Sequence, residues 1–119
     1  MGYDVRTTEE FEVKAEYYFR KKRYLRIRQD IRKIIEQLKQ GILVGDEIPG
    51  LKLTINESTY KVRVANTSAN IGKSGGFRII YYVIKDNKVV YLLTIYSNKD
   101  QEDISIGGIK ALIKRCCMQ

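Results

Sequence analysis

The chain has 119 residues, 44% apolar and 30% charged, the balance of one soluble globular domain spanning 1–119 rather than of a disordered tail or two separate domains. Lys and Arg total 22 against 14 Asp and Glu, a formal net charge of +8 that points to a polyanionic partner, nucleic acid first, without choosing between RNA, DNA, an acidic protein and a membrane surface. There is no His, which removes His base catalysis, His-paired nucleophiles and His-ligated metals, and the two cysteines, Cys116 and Cys117, are adjacent and form neither a staple nor a CxxC zinc pair. A reducing, cytoplasmic setting is expected. The N-terminal MGYDVRTTEE has no apolar signal core, and no run approaches the roughly 20 apolar residues of a membrane span, so no membrane partner is expected.

Tyr3 to Arg6 reads as a short strand, and Thr7 with Glu10 matches a capping box that starts a helix. Phe11, Ala15, Tyr18 and Phe19 then recur at helical spacing. Ile27, Ile31, Ile34, Ile35 and Leu38 form a second stripe ending at Gly41. At about 100° per residue the two stripes lie on opposite sides of one straight helix, so a break near Lys21 to Tyr24 and a helical hairpin are predicted. Gly41 to Gly50 is a connector with the only proline, Pro49. Leu51, Leu53 and Ile55 alternate as a possible added strand, and Asn56 to Ser58 looks like a turn. Tyr60, Val62 and Val64 alternate with Lys61 and Arg63, a half-buried strand. Asn66 to Gly76 is a polar loop. Phe77 to Lys85 and Lys88 to Ser97 are apolar on both faces, with Asp86-Asn87 as a tight hairpin turn between them. Asp100, Glu102 and Asp103 are placed at the start of a last helix over Ser105 to Arg115, where acids suit the macrodipole. The predicted order is β-α-α-β-β-β-α: an α+β domain with an N-terminal helical hairpin, a C-terminal helix, and helices on one face of a small antiparallel sheet.

Candidate chemistry sits in four places. Gly72-Lys73-Ser74 lacks the upstream Gly and following helix of a nucleotide-binding loop, so it reads as a flexible loop whose Lys73 and backbone amides touch nucleic-acid phosphate. Asp100, Glu102 and Asp103 alone cannot enclose a metal, and no metal site is assigned. Arg20 to Lys33 holds eight basic residues opposed only by Asp30, a density that suits a phosphate backbone, with Arg28 and Arg32 one turn apart. Lys61 and Arg63 share a sheet face opposite the core-facing Tyr60, Val62 and Val64. Arg78 interrupts an otherwise apolar central strand, where a lone buried charge is costly unless its face opens to solvent or ligand.

The segment from Thr59 to Ser105 resembles the RelE/ParE superfamily of type II toxin–antitoxin toxins, in its HigB-like RelE branch. The likeness is carried by Tyr60-Lys61-Val62-Arg63-Val64, by GKSGGFRIIYY from Gly72 to Tyr82, and by LLTIYS from Leu92 to Ser97 with a charged turn and helix after it. The resemblance implies a RelE-like fold and a metal-independent, cofactor-free endoribonuclease that cuts mRNA in the ribosomal A site by attack of the 2′-OH on the adjacent phosphate. It implies the ribosome, mRNA and a cognate protein antitoxin as partners, with oligomers formed through the antitoxin. Carried over by position, Lys61, Arg63 and Arg78 are the catalytic cations and Lys99 is nearest to a basic site in the turn before the last helix; Lys73 would hold RNA backbone, and Arg28 and Arg32, read from the basic run itself and not from the resemblance, extend the RNA surface. Arg63 and Arg78 would stabilise the pentacoordinate phosphate, and Lys61 would activate the 2′-OH or act as base. Family members that use a late Tyr or His have here Asp103-Ile104-Ser105-Ile106, which leaves Tyr96, Tyr82 and Lys99 as proton-transfer candidates; Tyr96 is taken as the catalytic one. Two rival functions share this fold: a ParE-like inhibitor of DNA gyrase, and a degenerate module that binds RNA or ribosomes without cutting.

Overall fold

The computed structural model describes residues 2–101 and 103–117. Strand β1 (Asp4–Thr7) leads into helix α1 (Glu9–Arg20) and helix α2 (Ile27–Lys39). Then come β2 (Asp46–Glu47), β3 (Glu57–Val64), a 3-10 turn (Thr67–Ala69), β4 (Phe77–Ile84), β5 (Val89–Ser97) and helix α3 (Ile106–Cys117). One five-stranded sheet runs β1-β5-β4-β3-β2; β1 is parallel to β5 and every other pairing is antiparallel.

The predicted order holds, with local corrections. The α1 cap is Thr8, not Thr7: Thr7 is held in the β1–β5 ladder opposite Leu92, and the Thr8 hydroxyl accepts from the Phe11 amide at 3.2 Å. The predicted break stands between α1 and α2, where Arg23 takes a positive φ of 61° and the Tyr24 amide donates to the Tyr18 carbonyl. No strand forms over 51–55, because Gly50 and Lys52 adopt left-handed conformations (φ 87° and 54°) that break an extended run; Leu51 is buried all the same. The extra strand is β2, inside the segment read as connector, pairing Asp46 and Glu47 with Lys61 and Tyr60. Gly45 (φ 94°) lets it approach, since a Cβ there would collide with the Lys61 carbonyl. The β4–β5 turn is four residues long, Lys85 to Lys88, closed by Lys88 at φ 56° rather than by a two-residue Asp86-Asn87 hairpin.

Both faces of the central strands are buried, as their unbroken apolar runs require. Val62, Val64, Phe77, Ile79, Tyr81, Val83, Leu92 and Ile95 pack under α1 and α2. Ile80, Tyr82, Leu93 and Tyr96 pack under Ile109, Leu112 and Ile113 of α3, with Leu51. The helices therefore lie on both faces of the sheet, not on one: strand alternation sends one parity of apolar residues to each side, and each side needs cover. Each fully buried Ile, Leu or Phe contributes about 1.5–3 kcal/mol relative to exposure.

Acids do not start α3. Ser105 does, its hydroxyl accepting from the Gly108 amide at 3.0 Å. Asp103 precedes the helix and turns toward the sheet, and Glu102 lies outside the described residues.

Candidate active site

The α3 face of β3, β4 and β5 carries the predicted cations. Register sets Arg63 directly opposite Arg78, and Arg78 directly opposite Tyr96, so the three form one rung across the sheet. Lys61 stands two residues along β3, opposite Ile80 on the same face. A cleft of about 780 Å³ opens over Lys61, Arg63 and Arg78 but not over Tyr96, which is 1% exposed beneath α3; it is walled by Ile48 and Pro49 of the connector and by Asp103 to Ile106 before α3. Asp46 and Glu47 of β2 line its rim.

Arg78 is buried but not orphaned. Its guanidinium donates to the carbonyls of Lys73 (3.1 Å), Phe77 (3.1 Å) and Ser74 (2.8 Å), satisfying much of its fork while leaving its charge without a carboxylate partner among the described residues. Two of these bonds, to the Lys73 and Ser74 carbonyls, fix the loop that carries Lys73. Gly76 lets that loop press on the end of β3, where a Cβ would strike the Val64 carbonyl. Arg63, exposed, has no ion pair among the described residues. Two arginines directly opposite each other repel, and a bound anion would relieve that repulsion.

The residue missed by sequence reasoning is Asp103. Its Oδ1 accepts from Lys61 Nζ at 3.3 Å, from the Tyr96 hydroxyl at 3.4 Å and from the Ile104 amide at 2.8 Å. Burial works to raise its pKa, but these donors and the Lys61 charge together hold the carboxyl below its usual range. No local pattern could reveal this contact: Lys61 and Asp103 are 42 positions apart, and an acid before a helix reads as a dipole partner.

Tyr96 does not suit the role of base. Burial, then the charge of Asp103 and the bond to it, push its pKa up to about 12, so at neutral pH it is a phenol that donates. Tyr82 is pushed the same way by burial, and its hydroxyl is bound to Glu57 rather than facing the cleft. Lys99 is exposed in the turn after β5; its neighbour Asn98 lines the cleft and Lys99 does not. Arg28 lies on the far flank of α2, bonded to Glu12 of α1 at 3.0 Å, and Arg32 is one turn further on that side. Neither arginine lines the cleft, so the two do not join the cation rung. Lys73 stays exposed beyond Arg63, on the loop held by Arg78. Among the described residues, no three His, Cys, Asp or Glu gather as a metal site.

Five strands in this order, a helical hairpin over one face and a terminal helix over the other define a RelE-like α+β fold. The structure is similar to that of the E. coli toxin RelE, solved in the free state as a double arginine-to-alanine mutant, with a TM-score of 0.59 and 18% sequence identity over 93% of this chain and 98% of that one. No family model matches the sequence. No helix among the described residues is long and apolar enough to cross a membrane.

Proposed function

We propose that the protein is a toxin of the RelE kind that inhibits translation by cutting mRNA in the ribosomal A site, silenced by a cognate antitoxin. The observation that carries this reading is that Lys61, Arg63, Arg78 and Asp103 line one cleft, unneutralised guanidinium charge beside a carboxylate acceptor, with the buried Tyr96 hydroxyl donating to Asp103 behind it. Such a set binds a phosphodiester and stabilises the extra negative charge of its pentacoordinate state.

The roles divide by charge and by proton. Arg63 takes the equatorial phosphate oxygens, and Arg78 adds its field from below while holding the 73–77 backbone. Tyr96, buried beneath α3 and protonated at neutral pH, donates to Asp103 and orients it, and the leaving 5′-oxygen takes its proton from solvent. Asp103 accepts the 2′-OH proton, and Lys61 steers both the carboxylate and the phosphate. With its pKa held low, Asp103 is a weak base, so most of the acceleration must come from charge stabilisation and from the ribosome aligning the 2′-OH in line with the phosphate. That same weakness favours the second reading, a module that binds RNA or ribosomes without cutting it.

The test is purified protein added to translating ribosomes on a defined mRNA, with breaks mapped by primer extension and free mRNA alongside. Breaks confined to A-site codons, and only with ribosomes, are expected. Intact mRNA with ribosome binding supports the inert module. Intact mRNA with an SOS response in induced cells supports gyrase poisoning instead.

A further inference from the structure

Strand β2 and the Ile48 amide after it cover β3 from Thr59 to Lys61, so the Arg63–Val64 end of β3 is an open edge. Beyond that edge lies a second cleft of about 500 Å³, between α2 and the loop before β4. Lys33 and Gln37 face it from α2, Lys73 from the loop, and Arg63 from β3. Arg63 thus lines both clefts, one on each side of the sheet edge. The second cleft holds three cations against two carboxylates. Asp30 is spent internally, accepting from the Thr67 amide at 3.1 Å and the Thr67 hydroxyl at 2.7 Å. Glu36 alone is left as an exposed opposing charge.

We propose that this cleft is a second phosphate subsite for single-stranded RNA, taking the backbone next to the scissile phosphate, with Lys33 and Lys73 as its contacts and Arg63 shared between neighbouring phosphates. The inference rests on the RNA-cleaving reading of the first cleft and extends it. An RNA strand leaving the Arg63–Arg78–Tyr96 rung over the free edge of β3 meets these lysines next, and Gln37 adds an amide for ribose or phosphate. The two clefts are joined mechanically as well, since Arg78 in the first holds the carbonyls of Lys73 and Ser74 in the loop bordering the second. The basic run thereby acquires a division of labour. Lys33, on one flank of α2, faces the strand, whereas Arg28, on the other, is tied to Glu12.

The experiment compares binding of 2′-O-methylated RNA, which cannot be cut, as a dinucleotide and as a pentanucleotide, by NMR titration at several salt concentrations. The proteins are the wild type, Lys33→Gln/Lys73→Gln, and Lys110→Gln as a control for lost charge on α3. All three positions are exposed, so the fold is expected to be kept. For the wild type and the control, affinity rises with length. For the double variant, the pentanucleotide-to-dinucleotide affinity ratio falls at least tenfold, and the slope of log K against log salt for the pentanucleotide shrinks by about 1.4, two single-strand contacts at about 0.7 each. A double variant that keeps the wild-type ratio, or that loses both ligands equally, overturns the subsite while leaving the first cleft's reading in place. A wild type that binds neither oligonucleotide also overturns the subsite, whereas the first cleft's reading stands or falls on the ribosome cleavage assay.

Discussion

At the scale of the residue, the site turns on one carboxylate. Asp103 ties Lys61 to Tyr96, and its charge is one cause of the raised Tyr96 pKa. Asp103→Asn is therefore expected to lower the Tyr96 pKa from about 12, while leaving it above the ordinary tyrosine value of 10.0 because burial is the larger cause. Carbon-13 NMR of labelled tyrosine reads this directly, and an unchanged value would separate the two side chains. On the proposed roles, loss of the Asp103 carboxylate should also slow cleavage by about 10²-fold, the low end for a positioned general base because its pKa is held far below neutral. Stability follows the same group. A carboxyl held below its unfolded value near 3.8 contributes stability that is full above that pH and is lost as pH falls through the folded pKa. The wild type should therefore exceed Asp103→Asn in stability at neutral pH, with the gap closing in acid, as urea titrations at stepped pH would measure.

At the scale of the element, buried polar contacts join segments that hydrophobic patterning alone leaves unconnected. Asp30, 2% exposed, anchors the 3-10 turn to α2 through Thr67, and Asp30→Ala should cost about 1–3 kcal/mol in urea unfolding by leaving those donors unpaired. Tyr18 does the same for the turn after β5, its hydroxyl accepting from the Ser97 amide and donating to Asp100, each at 2.8 Å. Tyr18→Phe should cost a similar amount and loosen the turn that delivers Asp103, so cleavage should fall along with stability. An equal stability with full activity would contradict that link. Arg78 belongs here too. Because it holds three carbonyls, Arg78→Ala confounds chemistry with packing, and Arg78→Lys, which keeps the charge but loses the fork, is the more informative change.

The same elements explain what the sequence disclosed. Alternation in β3 put Lys61 and Arg63 on one face and Val62 and Val64 on the other, and that is how they lie, since a two-residue period is a local property. The opposing stripes of α1 and α2 likewise announced a hairpin. Leu51, Leu53 and Ile55 misled because alternation reports burial, not φ, and two left-handed residues keep that stretch from becoming a strand. The side of the sheet chosen by α3, the partner of Asp103 and the flank of α2 that meets the second cleft all depend on contacts between distant segments, which periodicity does not encode. The sequence names Tyr96 only as a proton-transfer candidate; its place opposite Arg78 comes from the β4–β5 register, and its protonation from burial beneath α3.

At the scale of the molecule, the sheet separates two duties. The hairpin face holds most of the core, and the α3 face holds the charge rung, with the free end of β3 between them. A net charge of +8 adds a long-range attraction to RNA, so ribosome-dependent cleavage should weaken steeply as salt rises, and a rate flat from low to high salt would argue against phosphate contact. The most direct measurement is the chemistry of the cut end. Ribosomes carrying mRNA with either a ribose or a 2′-deoxyribose at the scissile nucleotide would be treated with the protein, and the upstream product analysed by mass spectrometry. A 2′,3′-cyclic phosphate or its hydrolysis product from the ribose substrate, with the deoxyribose substrate intact, is the expected result. Cleavage of the deoxyribose substrate, a free 3′-OH end, or no cut in either would contradict 2′-OH attack at the Arg63–Arg78–Tyr96 rung.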